Sequence, residues 1–167
     1  MNTPSTILPI KGLPLAGKYL TFALSKEKYG IEILKVQEII GVTHITRVPK
    51  SDSFIKGVIN LRGKIIPVID LRLRFRMKEI PYDDKTCIIV VNISRGDSKV
   101  AVGIIVDTVL EVTTLDGSMI EAAPDYGASL DTKFILGMGR KDANDLLILI
   151  DIDRVLIDAD LSTVAAT

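Results

Sequence analysis

Few residues in this sequence could run chemistry. His44 is its single histidine and Cys87 its single cysteine. A zinc site needs clustered nitrogen or sulfur ligands, and neither residue type has a second member. Nucleophilic catalysis would have to recruit the same two residues, and no nucleophile elbow surrounds either of them. His44 reads as a solvent-facing residue of a strand, and Cys87 as a buried thiol in the apolar run Thr86–Val91. A lone cysteine fits a reducing compartment and precludes an internal disulfide. Asp70 and Asp151 could form an acid–base or metal-binding pair. Each, however, ends the most apolar run of its region, where a carboxylate commonly caps a turn or helix by accepting backbone N–H groups. Gly137-Met138-Gly139 lacks the strand–GxGxxG–helix setting of a phosphate cradle, and no G-x-x-x-x-G-K-[ST] occurs. The expectation is a protein with no catalytic residues, no metal and no cofactor.

Two polar features remain. Arg62, Lys64, Arg72, Arg74, Arg76 and Lys78 stand against the single acid Asp70, a segment that on a small β-barrel could track a nucleic-acid backbone. The residues between them, Leu71, Leu73, Phe75 and Met77, alternate as in a half-buried strand, and only Phe75 could stack a base. The segment therefore reads as a solvated or partner-facing strand, with nucleic-acid binding as the alternative function. Glu38 and Arg62 form the other feature. Arginine on a loop held by rigid strands often anchors an interface. The spacing alone leaves open whether the two are an interface pair or unrelated surface residues.

The elements that would position these residues follow from periodicity. The stretch Phe54–Leu73 consists of two apolar runs around the polar turn Asn60-Leu61-Arg62-Gly63, a hairpin with an arginine at its tip. Tyr19–Leu24 and Gly30–Ile33 have the period of strands, with the charged turn Ser25–Tyr29 between them. Ile33, Val36, Ile39 and Ile40 match one face of a short helical turn ended by Gly41, and Val42–Val48 reads as a strand. Pro67 places its strand at an edge or a bulge. Strands follow at Thr86–Ile93, Lys99–Val106, Phe134–Met138 and Leu146–Ile152, with a loop at Ala122–Asp131 and a helical turn at Arg154–Ala159. Many short strands rich in Val, Ile and Thr predict an all-β fold.

The composition agrees. Twenty-one basic and 21 acidic residues cancel, which removes the simplest electrostatic case for nucleic acid or an anionic membrane. No apolar run reaches the roughly 18 residues of a membrane span, and Pro4, Pro9 and Pro14 interrupt any signal-like start. Met1–Lys18 reads as an extended tail of a cytoplasmic protein.

The sequence also repeats itself. Gly30-Ile31, Ile33, Val36, Glu38 and Ile39 return at an offset of 73 as Gly103-Ile104, Val106, Val109, Glu111 and Val112. Phe54-Ile55 and Gly57 return at an offset of 80 as Phe134-Ile135 and Gly137. Val68-Ile69-Asp70-Leu71 returns at an offset of 81 as Leu149-Ile150-Asp151-Ile152. A duplicated β unit of about 65–75 residues is implied. Units that small seldom hold a core alone, so the two should pack on each other, and the sequence leaves open whether they exchange strands. The expected division is a tail over 1–18, a first subdomain over about 19–82, a second over about 83–158, and a C-terminal tail over 159–167.

Ile45-Thr46-Arg47-Val48-Pro49, the run Phe54-Ile55-Lys56-Gly57-Val58-Ile59-Asn60-Leu61-Arg62-Gly63, and Ile66-Pro67-Val68-Ile69-Asp70-Leu71 resemble the CheW family of chemotaxis coupling proteins. The resemblance runs from about Tyr19 to Leu156. It implies two SH3-like five-stranded barrels on a shared core and a non-catalytic adaptor recruited from the cytoplasm to membrane receptor arrays. The implied partners are the regulatory domain of the histidine kinase CheA and the cytoplasmic tip of chemoreceptors, with room for association with other CheW-like modules, and neither nucleic acid nor direct membrane insertion. Carried over by motif, Val36, Glu38, Ile39, Asn60 and Arg62 belong to the partner-binding surface. Asp52 stands where the family commonly has proline, and Arg76-Met77 where it has Gly-Leu. The absence of a receiver or kinase segment points to the free adaptor.

Overall fold

Arg62 and Gly63 both adopt positive φ, 51° and 88°. That conformation matches a two-residue turn to the right-handed twist of the strands it joins. Here it joins β4 (Ile55–Leu61) to β5 (Lys64–Asp70) in the register Leu61↔Lys64, Ile59↔Ile66. The hairpin expected from the sequence is present, with Arg62-Gly63 at its centre. The computed structural model describes residues 16–49, 51–122, 132–142 and 145–157. The greater part of the expected N-terminal tail, the loop over 123–131 and the C-terminal tail lie outside them. Gly17 and Lys18 already belong to the first strand.

The first strands are β1 (Gly17–Leu24), β2 (Glu27–Glu32) and β3 (Val36–Gly41). After the hairpin come β6 (Cys87–Arg95), β7 (Ser98–Val106), β8 (Thr108–Leu115) and the two-residue β9 (Ile120–Glu121). The last two are β10 (Ile135–Asp142) and β11 (Asp145–Ile150). One sheet has the order β3-β6-β7-β5-β4 and the other β8-β1-β2-β11-β10-β9. Apart from β9, the two orders are the same once each strand is replaced by its counterpart in the repeat. The duplication is therefore one of topology as well as sequence, and the sheets are two SH3-like β subdomains.

The pairing also answers the question of exchange. Each sheet takes the hairpin that opens one repeat and three strands from the other repeat, with the short β9 as a fourth in the six-stranded sheet. The junctions are parallel: Val68–Asp70 of β5 beside Gly103–Ile105 of β7, and Leu147–Leu149 of β11 beside Lys28–Gly30 of β2. Pro67 follows from this. β5 is an internal strand, not an edge, and Pro67 sits one residue before the first pair of its parallel ladder. Ile148, its counterpart, lies inside the equivalent ladder.

Three apolar clusters result. Ile59, Ile66, Val68, Ile88, Val90 and Ile105 fill one subdomain, and Tyr19, Leu115, Leu147 and Leu149 the other. The largest cluster lies between them and draws on both repeats. Through it runs a row of rings, Phe22, Tyr29, Phe75 and Phe134, with successive centroids 5.7, 5.8 and 6.2 Å apart. Such spacing gives offset contacts beyond simple area burial.

Four local expectations are corrected. Val36–Gly41 is a strand, not a helical turn, and only Ile33–Lys35 forms a 3-10 turn. The β-branched residues gain more from pairing with β6 than from a helix too short to propagate. Val42–Val48 is irregular and is held by one bridge, in which Thr46 and Val58 exchange both backbone hydrogen bonds at 2.8 Å. Arg72–Lys78 is not a strand. Leu71–Arg74 forms the helical turn α1, because the Asp70 carboxylate accepts from Arg72 N and Leu73 N and caps it. Leu71 and Phe75 then share one buried face at helical spacing. Cys87 is half-buried and lies in β6, its thiol donating to Lys85 O at 3.3 Å. A helical turn, α2 (Ile152–Ile157), follows β11; it starts two residues before the expected Arg154, residues 158 and 159 of the expected turn lie outside the described residues, and Asp151 accepts from Arg154 N at 3.2 Å.

Gly57 explains how the irregular segment lies so close to β4. Its φ is 142°, and a Cβ there would fall 2.0 Å from Thr46 O. Gly57→Ala should therefore break the Thr46–Val58 bridge and cost about 2–3 kcal/mol, lowering the thermal midpoint by roughly 5–10 °C. Calorimetry checks this, and an unchanged midpoint would contradict the crossing as described.

Candidate functional site

β3 and the β4–β5 hairpin stand at opposite sides of their five-stranded sheet, yet the sheet's curvature brings Glu38 of β3 to Arg62 at the hairpin tip. Arg62 Nη1 donates to Glu38 Oε1 at 3.2 Å and Nη2 donates to Oε2, a two-pronged contact. The turn beneath it is fixed by Gly63 N, which donates to Asn60 Oδ1 at 2.8 Å. The pair bridges two strands that share no backbone hydrogen bonds and so closes the barrel at that rim.

The five residues singled out from the sequence do not form one cluster. Glu38, Arg62 and Asn60 come together at the hairpin tip. Val36 and Ile39 point to the other side of β3, as their cross-strand partners Val91 and Ile89 do, while Glu38 lies opposite Val90. The Val36/Glu38 bulge separates the two sets. Val36 is half-buried against the central cluster, whereas Ile39 is 43% exposed. The site is thus a rim with a charged side and an apolar side.

Two exposed apolar residues extend it and were not picked out from the sequence. Leu34, on the 3-10 turn before β3, is 92% exposed, and Ile65 of β5, the cross-strand partner of Asn60, is 49% exposed. A signal for Ile65 did exist: in Lys64-Ile65-Ile66 strand alternation must turn one isoleucine outward. Nothing in the sequence marked Leu34.

The remaining candidates are structural. Tyr82 OH donates to Asp70 Oδ2 at 2.8 Å, and burial together with that carboxylate raises the phenol's pKa. Asp70 N and Asp151 N donate to Phe54 O and Phe134 O, both at 2.8 Å, so the two carboxylates are equivalent pieces of frame, not a catalytic pair. His44 is exposed in the irregular segment. Among the described residues no three His, Cys, Asp or Glu side chains stand together as metal ligands.

The basic segment does not make a track either. The nearly buried Arg72 is committed to Asp107 at 2.7 Å. The Arg74 guanidinium lies 5.0 Å from the Phe54 ring and 4.9 Å from that of Phe134, and Nε donates to Val155 O at 2.7 Å. Phe75, the one aromatic that might have stacked a base, is buried. The nucleic-acid alternative has no support.

The family model described as the CheW-like domain matches residues 18–160. The chain belongs to the CheW-like family. It is 39% identical over 160 residues to a chemotaxis protein CheW of Klebsiella aerogenes, covering 96% of this chain and 93% of the relative. A chemotaxis protein CheW of Bacillus subtilis is 38% identical over 139 residues, with coverages of 83% and 86%. The crystal structure of the scaffolding protein TtCheW from Thermoanaerobacter tengcongensis superposes with a TM-score of 0.76 at 36% identity, covering 87% of this chain and 95% of that one.

The hydrogen bonds from Arg62 hold the Glu38 carboxyl below its ordinary range and raise the Arg62 guanidinium. A carboxylate whose folded value is lowered stabilises the fold above its unfolded value and loses that contribution as pH falls through the folded one. Arg62→Ala should therefore shift the Glu38 titration upward toward an ordinary glutamate, read by carboxyl-carbon NMR. An unmoved midpoint would mean the pair does not persist in solution.

Proposed function

We propose that this protein is a non-catalytic adaptor that couples transmembrane chemoreceptors to the histidine kinase CheA in chemotaxis signal transduction. The observation that carries this reading is the match of the family model over residues 18–160. No helix among the described residues is long and apolar enough to cross a membrane. An adaptor on the cytoplasmic side would reach receptor arrays through its partners.

The rim around Glu38 and Arg62 is the surface we assign to those partners, namely the regulatory domain of the kinase and the cytoplasmic tip of the receptor. A guanidinium on a rigid turn offers directional hydrogen bonds, and Ile39, Leu34 and Ile65 offer apolar contact on either side of it. Glu38 holds Arg62 ready while no partner is bound, so little side-chain freedom is lost on docking. Contacts of modest strength to two partners held in one array reinforce each other through effective concentration. Receptor state reaches the kinase only if contacts differ between the two states of the array.

Arg62→Glu and Glu38→Arg should each leave the fold intact by circular dichroism and weaken capture of receptor or kinase about tenfold or more. The double variant Glu38→Arg/Arg62→Glu restores the internal ion pair with its polarity reversed, and should still bind poorly. Wild-type capture by both single variants would remove this surface from the proposal.

A further inference from the structure

Leu34 is the most exposed large apolar residue among those described, and the turn that carries it is anchored on two sides. Ile33–Lys35 is a 3-10 turn closed by Val36 N donating to Ile33 O. With three residues per turn, side chains three apart lie on the same side. Ile33 and Val36 accordingly both pack against the central cluster, and Leu34 and Lys35 must leave the turn in other directions. Lys35 is drawn aside. Its Nζ donates at 2.6 Å to Oδ2 of Asp153, the second residue of α2 in the other repeat. The same carboxylate accepts through Oδ1 from Ser94 N at 2.9 Å, and Ser94 belongs to β6, the strand beside β3. Asp153 thus seats α2 on that strand and holds the turn from there. The two side chains are only 29% and 27% exposed, so water and salt screen the pair less than an open surface pair. The other carboxylates acting on Lys35 are Glu32 and Asp151.

We propose that Lys35–Asp153 is a positioning contact, by which α2 holds the 3-10 turn so that Leu34 stands out of the rim as an apolar knob for the partner. This rests on the reading of the rim as the partner surface. With Asp153 neutralised, Lys35 is left to Glu32 and Asp151, and the turn loses the tie that fixes its direction. A leucine already held in one direction loses little freedom when a partner covers it, whereas a leucine on a loose turn must first be ordered. The last helix of the second repeat therefore shapes a surface carried by the first.

Double-mutant cycles on the full chain test this, with capture of the receptor tip and of the kinase regulatory domain read separately. Leu34→Ala should weaken capture of at least one of them about tenfold. Lys35→Met keeps the aliphatic stem without the charge, and Asp153→Asn can still accept from Ser94 N. Each should weaken the same capture about fivefold, and neither should weaken it further once Leu34 is alanine. Lys35→Arg still reaches the carboxylate and should retain capture. Equal losses from Lys35→Met with and without Leu34 overturn the proposal, because the lysine would then act directly or through the whole fold. Wild-type capture by Lys35→Met or by Asp153→Asn overturns it too. So does wild-type capture of both partners by Leu34→Ala, and Arg62→Glu then separates the causes. A loss with Arg62→Glu keeps the rim as the partner surface and rejects only the role of Leu34; no loss rejects the surface as well. If Lys35→Met does not fold, Lys35→Gln replaces it with the same expectations.

Discussion

Half of this chain is too short to bury a sheet of its own, and the architecture follows from that limit. Each repeat contributes its opening hairpin to the sheet completed by the other, so two short parallel ladders, β5 with β7 and β2 with β11, hold both subdomains together. The largest apolar cluster lies at this junction. In its row of four rings Phe22, Tyr29 and Phe75 come from the first repeat and Phe134 from the second. Neither subdomain is a unit of sequence, and unfolding one must expose strands of the other.

On this symmetric frame the two repeats have diverged at their rims. Glu38, Ile39 and Ile65 have the counterparts Glu111, Val112 and Leu146, and both sets leave large apolar side chains in solvent. At its turn the first repeat carries Arg62-Gly63, with the guanidinium laid on the glutamate of the edge strand, where the sequence of the second repeat has Ala143-Asn144. Duplication supplies the scaffold, and the unmatched turn supplies the chemical feature. That division suits an adaptor of the CheW-like family, which must present surfaces to its partners.

Much of this was legible in the residues. Alternating apolar runs and the Arg62-Gly63 turn announced the hairpin, and the offsets of 73, 80 and 81 announced a duplicated all-β fold. Asp70 and Asp151 were readable as caps because they ended equivalent apolar runs. What failed was local. Leu71, Leu73, Phe75 and Met77 have the spacing of a strand, but a buried carboxylate one residue upstream starts a helix, and four residues then suffice to bury Leu71 and Phe75 together. Val36–Gly41 has helical spacing by chance, and pairing across to β6 decided its conformation. The exchange of hairpins was not readable, since strand patterning records which face is buried and not which neighbour buries it. The split of the candidate site into a charged and an apolar side was hidden for a similar reason: it depends on the bulge at Val36/Glu38.

The left-handed conformation of Arg62 has a consequence of another kind. The first position of such a turn is best filled by asparagine, aspartate or glycine, and a long side chain held there carries a conformational penalty on the order of 1 kcal/mol. A selection for heat resistance alone would favour replacing this arginine, and would discard the guanidinium in doing so. The arginine therefore holds this position through what its guanidinium contacts and not through its backbone preference.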